Sequence, residues 1–195
     1  MSVSSSNTSE SLLFDAGLSK NGLIHNMDVL EVRPKETSSS SKSRGPSYLL
    51  GSLVLVTGQI HRTTPFEQGF PIHYASVAEQ WQQDPLIHDD QAVVMNVKAK
   101  GLVILTGCGH AGAINTVRHA QELTGIQKVY ALIGGFHLTG AVFEPLIQPT
   151  VAALKGINPE LIVPAHCTGW KATHALAREL PQVFVPNSVG TRFIL

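Results

Sequence analysis

Three apolar, β-branched runs in the second half of the chain each stop at a corner of small residues that carries a histidine: LVILTGCGH (102–110), VYALIGGFH (129–137) and LIVPAHC (161–167). Stretches with helical spacing lie between them, and such an alternation of strand and helix confines the chain to a layered α/β fold. In layered α/β structures the strand ends project side chains into a shared crevice. Glycines 107, 109, 134 and 135 allow a positive φ and a close approach of the backbone to an ion or ligand. His110, His137 and His166 bring imidazole nitrogens to these corners and Cys108 brings a thiol, a donor set that suits Zn²⁺ or iron. A lone histidine after a strand is more often a cap or a partly buried side chain than a ligand. Three at successive strand ends favour a metal or catalytic role, and no CxxC or HExxH spacing adds to that signal.

The rest of the chain divides around these corners. MSVSSSNTSES is Ser-rich with little to bury, so residues 1–10 are expected to be a disordered tail ahead of one domain over 11–195. LLFDAG predicts a strand and GLIHNMDVLEV a helix, with Leu23, Met27 and Leu30 at helical spacing. RPKETSSSSKSRGPS, at about 33–47, predicts a linker or exposed loop. YLLGSLVLVTGQI resumes as strand, and the irregular stretch 66–91 is long enough for a functional loop. AVVMNVKAKGLVILTG predicts a hairpin turning near Lys100 and Gly101. Helices are expected at about Ala113–Leu123, through LIQPTVAALKGI and over KATHALAREL, with strands at KVYALIGG, LIVPAHC and QVFVP followed by TRFIL. His119 and His174 fall on predicted helices among polar neighbours and are expected to face solvent; His25, His61, His73 and His88 receive no role.

Composition excludes several classes of function. Lys plus Arg and Asp plus Glu both number 14, so no basic footprint for nucleic acid or an anionic membrane is present. No apolar run approaches the roughly 18 to 20 residues of a membrane helix, and no basic n-region precedes an apolar h-region. Two cysteines at positions 108 and 167 make a poor disulfide framework. A cytoplasmic chain with reduced thiols is the expectation.

Several segments together resemble one family. DPLIHDDQAVVMNVKAKGLVILTGCGHAGAINTVRHAQ, LIGGFHL, PAHCTGWKA and NSVGTRF are similar to the metallo-β-lactamase superfamily, within the branch of dihydropterin-methyl-ribofuranosylaminobenzene 5′-phosphate synthase-like proteins. The resemblance covers residues 11–32 and 48–195. It implies an αββα sandwich that holds one or two metal ions, usually zinc, at one edge of the sheets, where the metal activates water or a phosphate ester. It further implies metal ligation by Cys108 or His110, with His110 the stronger candidate, and by His166 as the late histidine ligand. His137, Asp89 and Asp90 look like branch-specific residues of the substrate pocket or a secondary metal shell. Cys167 is expected to point to the other face of an extended segment and belong to the core.

The sequence also departs from the family. Superfamily members carry an HxHxDH motif, and this chain has nine histidines but no HxH pair; RPKETSSSSKSRGPSYLLGS stands where the motif belongs. The expectation is therefore an incomplete sandwich, with one zinc ion held weakly by His110, His166 and Cys108, another divalent metal or iron being an alternative. The resemblance implies a metal-dependent hydrolase or transferase acting on a small phosphate- or pterin-containing substrate with reduced activity. The alternative is a catalytically silent truncated isoform or remnant that serves as a binding or interaction module. The expected partner is a small molecule, without nucleic acid or membrane, and a second copy or a partner chain is expected to cover an uncovered sheet face.

Overall fold

The computed structural model describes residues 2–5, 8–11, 45–49 and 52–195. The strand and helix expected in LLFDAG and GLIHNMDVLEV, and most of the Ser-rich linker, lie outside the described residues. Within the expected tail, β1 (Ser2–Ser5) pairs antiparallel with β2 (Thr8–Ser11) as a two-stranded sheet.

The main sheet has six strands: β3 (Ser47–Leu49), β4 (Val54–Val56), β7 (Ala92–Val97), β8 (Gly101–Thr106), β9 (Val129–Gly135) and β10 (Leu161–Ala165). Their order across the sheet is β10-β9-β8-β7-β4-β3. The half with β3, β4, β7 and β8 is antiparallel, and β8, β9 and β10 run parallel. β7 and β8 form the expected hairpin, in which Lys100 N–H donates to the Val97 carbonyl at 3.0 Å and Ala99 takes φ 65°. A second hairpin, β5 (Tyr74–Val77) with β6 (Gln80–Gln83), occupies the middle of the long irregular stretch and forms its own small sheet.

Parallel neighbours need crossover connections, and three helices follow the parallel strands. They are α1 (Ala113–Thr124), α2 (Ile147–Ile157) and α3 (Trp170–Glu179). Pro149 lies in the first turn of α2, where the missing N–H costs no intrahelical bond. Side chains alternate across each strand. Leu102 and Ile104 of β8, Val94 of β7 and Ile162 of β10 face Ile114, Val117, Val151, Leu154 and Leu176 of the helices. Val103, Val93, Met95, Val54 and Ala131 form a second buried cluster on the opposite face. A sheet apolar on both faces is the inner layer of a layered α/β structure.

Two expectations about secondary structure change. QVFVP forms one parallel bridge, Ile162 to Phe184, instead of a strand, and TRFIL forms none. The backbone of 180–184 is still turning after α3, with Phe184 N–H bonded to the Leu180 carbonyl at 3.0 Å, so only a short contact reaches β10. His119 is buried, at 4% exposure, while His174 is exposed as expected. The reason is the loop after β4: Asn115 Oδ1 accepts from Thr63 N and Thr64 N, both at 2.8 Å, and this segment covers the side of α1 that carries His119. No described helix is long and apolar enough to cross a membrane.

Candidate metal centre

The three histidine corners converge at one end of the parallel strands. After β8 the chain turns through Gly107, whose carbonyl accepts from Gly135 N–H at 2.9 Å, so the corners after β8 and β9 are joined through backbone. Cys108 Sγ lies 3.0 Å from His166 Nε2. The Cys167 thiol donates to the Cys108 carbonyl at 3.0 Å. One ligand atom from each of Cys108, His166 and Cys167 lies within 4.8 Å of the others.

Cys167 is therefore part of the corner, against the expectation that it points into the core. That expectation assumed an extended segment with alternating side chains, but His166–Thr168 is a single 3₁₀ turn. Consecutive side chains in such a turn are separated by about a third of a revolution, not half. Room for the sulfur comes from Gly135: a Cβ there would stand 2.6 Å from Cys167 Sγ and 2.7 Å from the Gly107 carbonyl oxygen. The Thr168 hydroxyl fixes the turn by accepting from Phe136 N–H at 3.2 Å.

Burial raises the Cys108 thiol above its ordinary pKa. Cys167 is pushed up to about 12 by burial and then by the neighbouring Cys108. Both remain thiols at neutral pH, and an ion binding here must displace their protons.

His110 is not one of these converging groups. Its ring meets His137 edge-on, with centroids 4.5 Å apart. Burial lowers the His110 pKa, against the opposing charge of Asp90. His137 has φ 46°, an uncommon left-handed conformation for a residue with a Cβ, and its ring packs edge-on against Phe143 at 4.5 Å. Its Nδ1 is buried without a hydrogen-bond partner, and its pKa falls to about 4 through burial, then His110 and His166. Asp90 Oδ2 accepts from Ala111 N–H at 2.7 Å, and burial raises its pKa. Asp89 is exposed on the same loop. The corner thus divides into a thiol–imidazole group (Cys108, His166, Cys167) and an adjoining histidine pair (His110, His137), with Asp90 near His110.

Sequence reasoning missed the group behind the corner. Arg62 donates to four carbonyls: Leu86, His110 at 3.1 Å, Ala111 at 2.9 Å and Glu67 at 3.3 Å. Buried Glu67 accepts from Ile114 N–H at 3.0 Å and Asn115 N–H at 2.8 Å, capping the first turn of α1 from outside the helix. Gly112 makes that possible, because a Cβ there would stand 2.2 Å from the Glu67 carboxyl carbon. Asn115 completes the group by donating to the Glu67 and Ala111 carbonyls at 3.1 and 2.8 Å. A local signal existed: Thr64-x-x-Glu67 has capping-box spacing, and Glu67 N–H does donate to Thr64 Oγ1 at 3.1 Å. The carboxylate caps α1, remote in sequence, instead of a helix of its own, which spacing alone does not reveal. A cavity of about 340 Å³ lies beside this group, with Arg62, Asp90, Ala111 and His88 in its wall.

No protein-family profile matches the chain. A solved structure, a metal-dependent hydrolase of the β-lactamase superfamily, superimposes with a TM-score of 0.67 over 82% of this chain and 58% of its own length, at 23% identity. The chain has the metallo-β-lactamase fold. It is 40% identical over 96 residues to a 7,8-dihydropterin-6-methyl-4-(β-D-ribofuranosyl)-aminobenzene-5′-phosphate synthase of Methanocaldococcus jannaschii, covering 49% of this chain and 32% of that protein. It is also 30% identical over 131 residues to an uncharacterised protein of the same organism, covering 67% of this chain and 46% of the relative. The chain therefore spans about a third of one of these curated relatives and just under half of the other. Both the metallo-β-lactamase fold and the similarity to the synthase branch agree with the sequence resemblance.

Sulfur and imidazole donors fit the ion expected of this fold. Tetrahedral zinc bonds sulfur at about 2.3 Å and nitrogen at about 2.0–2.1 Å, which puts its ligands roughly 3.3–3.8 Å from one another. The three ligand atoms lie within 4.8 Å of one another, with Cys108 Sγ and His166 Nε2 at 3.0 Å, on the scale of that spacing.

Proposed function

We propose that Cys108, His166 and Cys167 hold a divalent ion, zinc by donor chemistry, at the edge of a metal-dependent hydrolase or transferase site for a small phosphate- or pterin-containing substrate. The convergence of two sulfurs and an imidazole at the strand ends carries this reading. A bound ion would supply Lewis acidity and activate water or a phosphate oxygen. His110 and His137 line a small pocket beside this group with Gly109, Phe136 and Phe143, and burial lowers the pKa of both rings. Asp90, held by the Ala111 and His110 backbone, places its carboxylate charge beside His110.

A second reading, a binding or interaction module with little turnover, draws on the absence of any HxH pair from this chain. With three protein ligands and no HxHxDH carboxylate, turnover is expected to fall by ~10² to 10⁴, the usual cost of losing a positioned base.

Elemental analysis for zinc and turnover of a generic phosphodiester test both readings, on the full chain, on Cys108→Ser, His166→Ala and on His110→Ala, His166→Ala. Zinc lost with Cys108 and His166, together with slow but metal-dependent turnover, supports the enzyme reading. Zinc binding without turnover supports the module. Failure of both substitution pairs to alter zinc content would overturn the ligand assignment.

A further inference from the structure

A second group of metal-binding side chains lies away from the strand-end corner, beside α1. His119 and Glu122 stand three residues apart on the helix, and His61 reaches them from the loop after β4, its ring 4.6 Å from the His119 ring between centroids. The Nδ1 atoms of His61 and His119 lie 3.9 and 3.7 Å from Glu122 Oε2. One ligand atom from each of the three lies within 4.8 Å of the others.

The independent observation is the state of His119. Its side chain is 3% exposed, and neither Nδ1 nor Nε2 has a partner within hydrogen-bond distance; the Thr57 backbone and Glu122 approach the ring only at longer range. Buried polar atoms in folded proteins are nearly always partnered, so a ring orphaned at both nitrogens, facing a carboxylate and a second imidazole, points to a missing ligand. The polar groups facing the ring are the Thr57 backbone, His61 and Glu122.

We infer that His61, His119 and Glu122 form a second divalent-cation site, whose two imidazoles and one carboxylate suit zinc with an open coordination position. The inference does not depend on the strand-end corner or on any catalytic role. Its structural consequence is local: the ion ties the loop that carries Arg62 and Glu67 to α1, bracing the group that holds the corner in place.

The test uses the full chain carrying Cys108→Ser and Cys167→Ser, which removes the sulfur donors of the other site. Competition against a chromophoric zinc chelator should show about one zinc per chain, and adding His61→Ala or Glu122→Gln should weaken binding by at least about tenfold. Both side chains are exposed, so these variants are expected to fold, with circular dichroism as the check. Absence of zinc binding by the thiol-free chain would overturn the inference. So would unchanged affinity in folded His61→Ala and Glu122→Gln.

Discussion

The strand-end corner and the group directly behind it contain similar kinds of atoms in opposite states. Arg62, Glu67 and Asn115 are partly or fully buried and joined to backbone through hydrogen bonds that occupy both carboxylate oxygens, both terminal guanidinium nitrogens and both amide atoms of Asn115. In the corner, two thiols with raised pKa values meet an exposed imidazole, and His137 has a buried nitrogen with no partner. A satisfied polar network stiffens a fold; one left open lowers stability unless another molecule completes it. The group behind the corner is therefore structural, and the corner holds the donors to which the proposal assigns an ion.

The largest effect separating the two should come from Glu67→Ala. The variant strips the N–H groups of Ile114 and Asn115 of their acceptor, so a loss of about 2 to 4 kcal/mol in denaturant unfolding is expected. A loss below about 1 kcal/mol would break the distinction.

Cys108→Ser with Cys167→Ser should behave in the opposite manner. Stability should change by no more than about 1 kcal/mol, since both hydrogen bonds at stake, Cys108 with His166 and Cys167 to the Cys108 carbonyl, are weak thiol contacts that a serine hydroxyl can replace, while zinc affinity at the corner falls by about a hundredfold. Isothermal titration of wild type and variant, in a His61→Ala background, reads this directly.

The pH dependence sharpens the same point. Each raised thiol must lose a proton to bind zinc, so affinity should increase with pH by about tenfold per unit for each thiol that ligates, below the thiol pKa values. A slope near two identifies both cysteines as ligands, and a slope near one would leave Cys167 outside the shell.

The smallest effect concerns His137. Its folded pKa, about 4, lies below the ordinary 6.5, so between those values the unfolded chain holds more protons and stability rises with pH; on acidification through that window it falls. His137→Phe, which keeps an aromatic ring against Phe143, should reduce the slope of stability with pH there by up to about one proton. An unchanged slope would show that the ring titrates normally.

Much of the parallel half was legible in the sequence because each strand there is an apolar run stopped by glycine or proline, and each helix repeats its buried residues at three to four positions. The convergence of Cys108 and His166 was legible too, since both follow strand ends. Cys167 was misread because side-chain direction depends on whether three residues extend or coil, and 3₁₀ turns leave little trace in composition. Arg62, Glu67 and Asn115 escaped notice because their partners are backbone atoms from distant segments, which no residue pattern encodes. His119 was placed in solvent for a related reason: its helix neighbours are polar, but a loop from another part of the chain covers them.

X-ray absorption at the zinc edge, on the zinc-loaded full chain carrying His61→Ala, tests the central claim most directly, because it reads the atoms bonded to the ion at the corner alone. Two sulfur scatterers at about 2.3 Å and an imidazole nitrogen at about 2.0–2.1 Å are predicted. A shell of nitrogen and oxygen alone would contradict the assignment of Cys108, His166 and Cys167 as the metal centre.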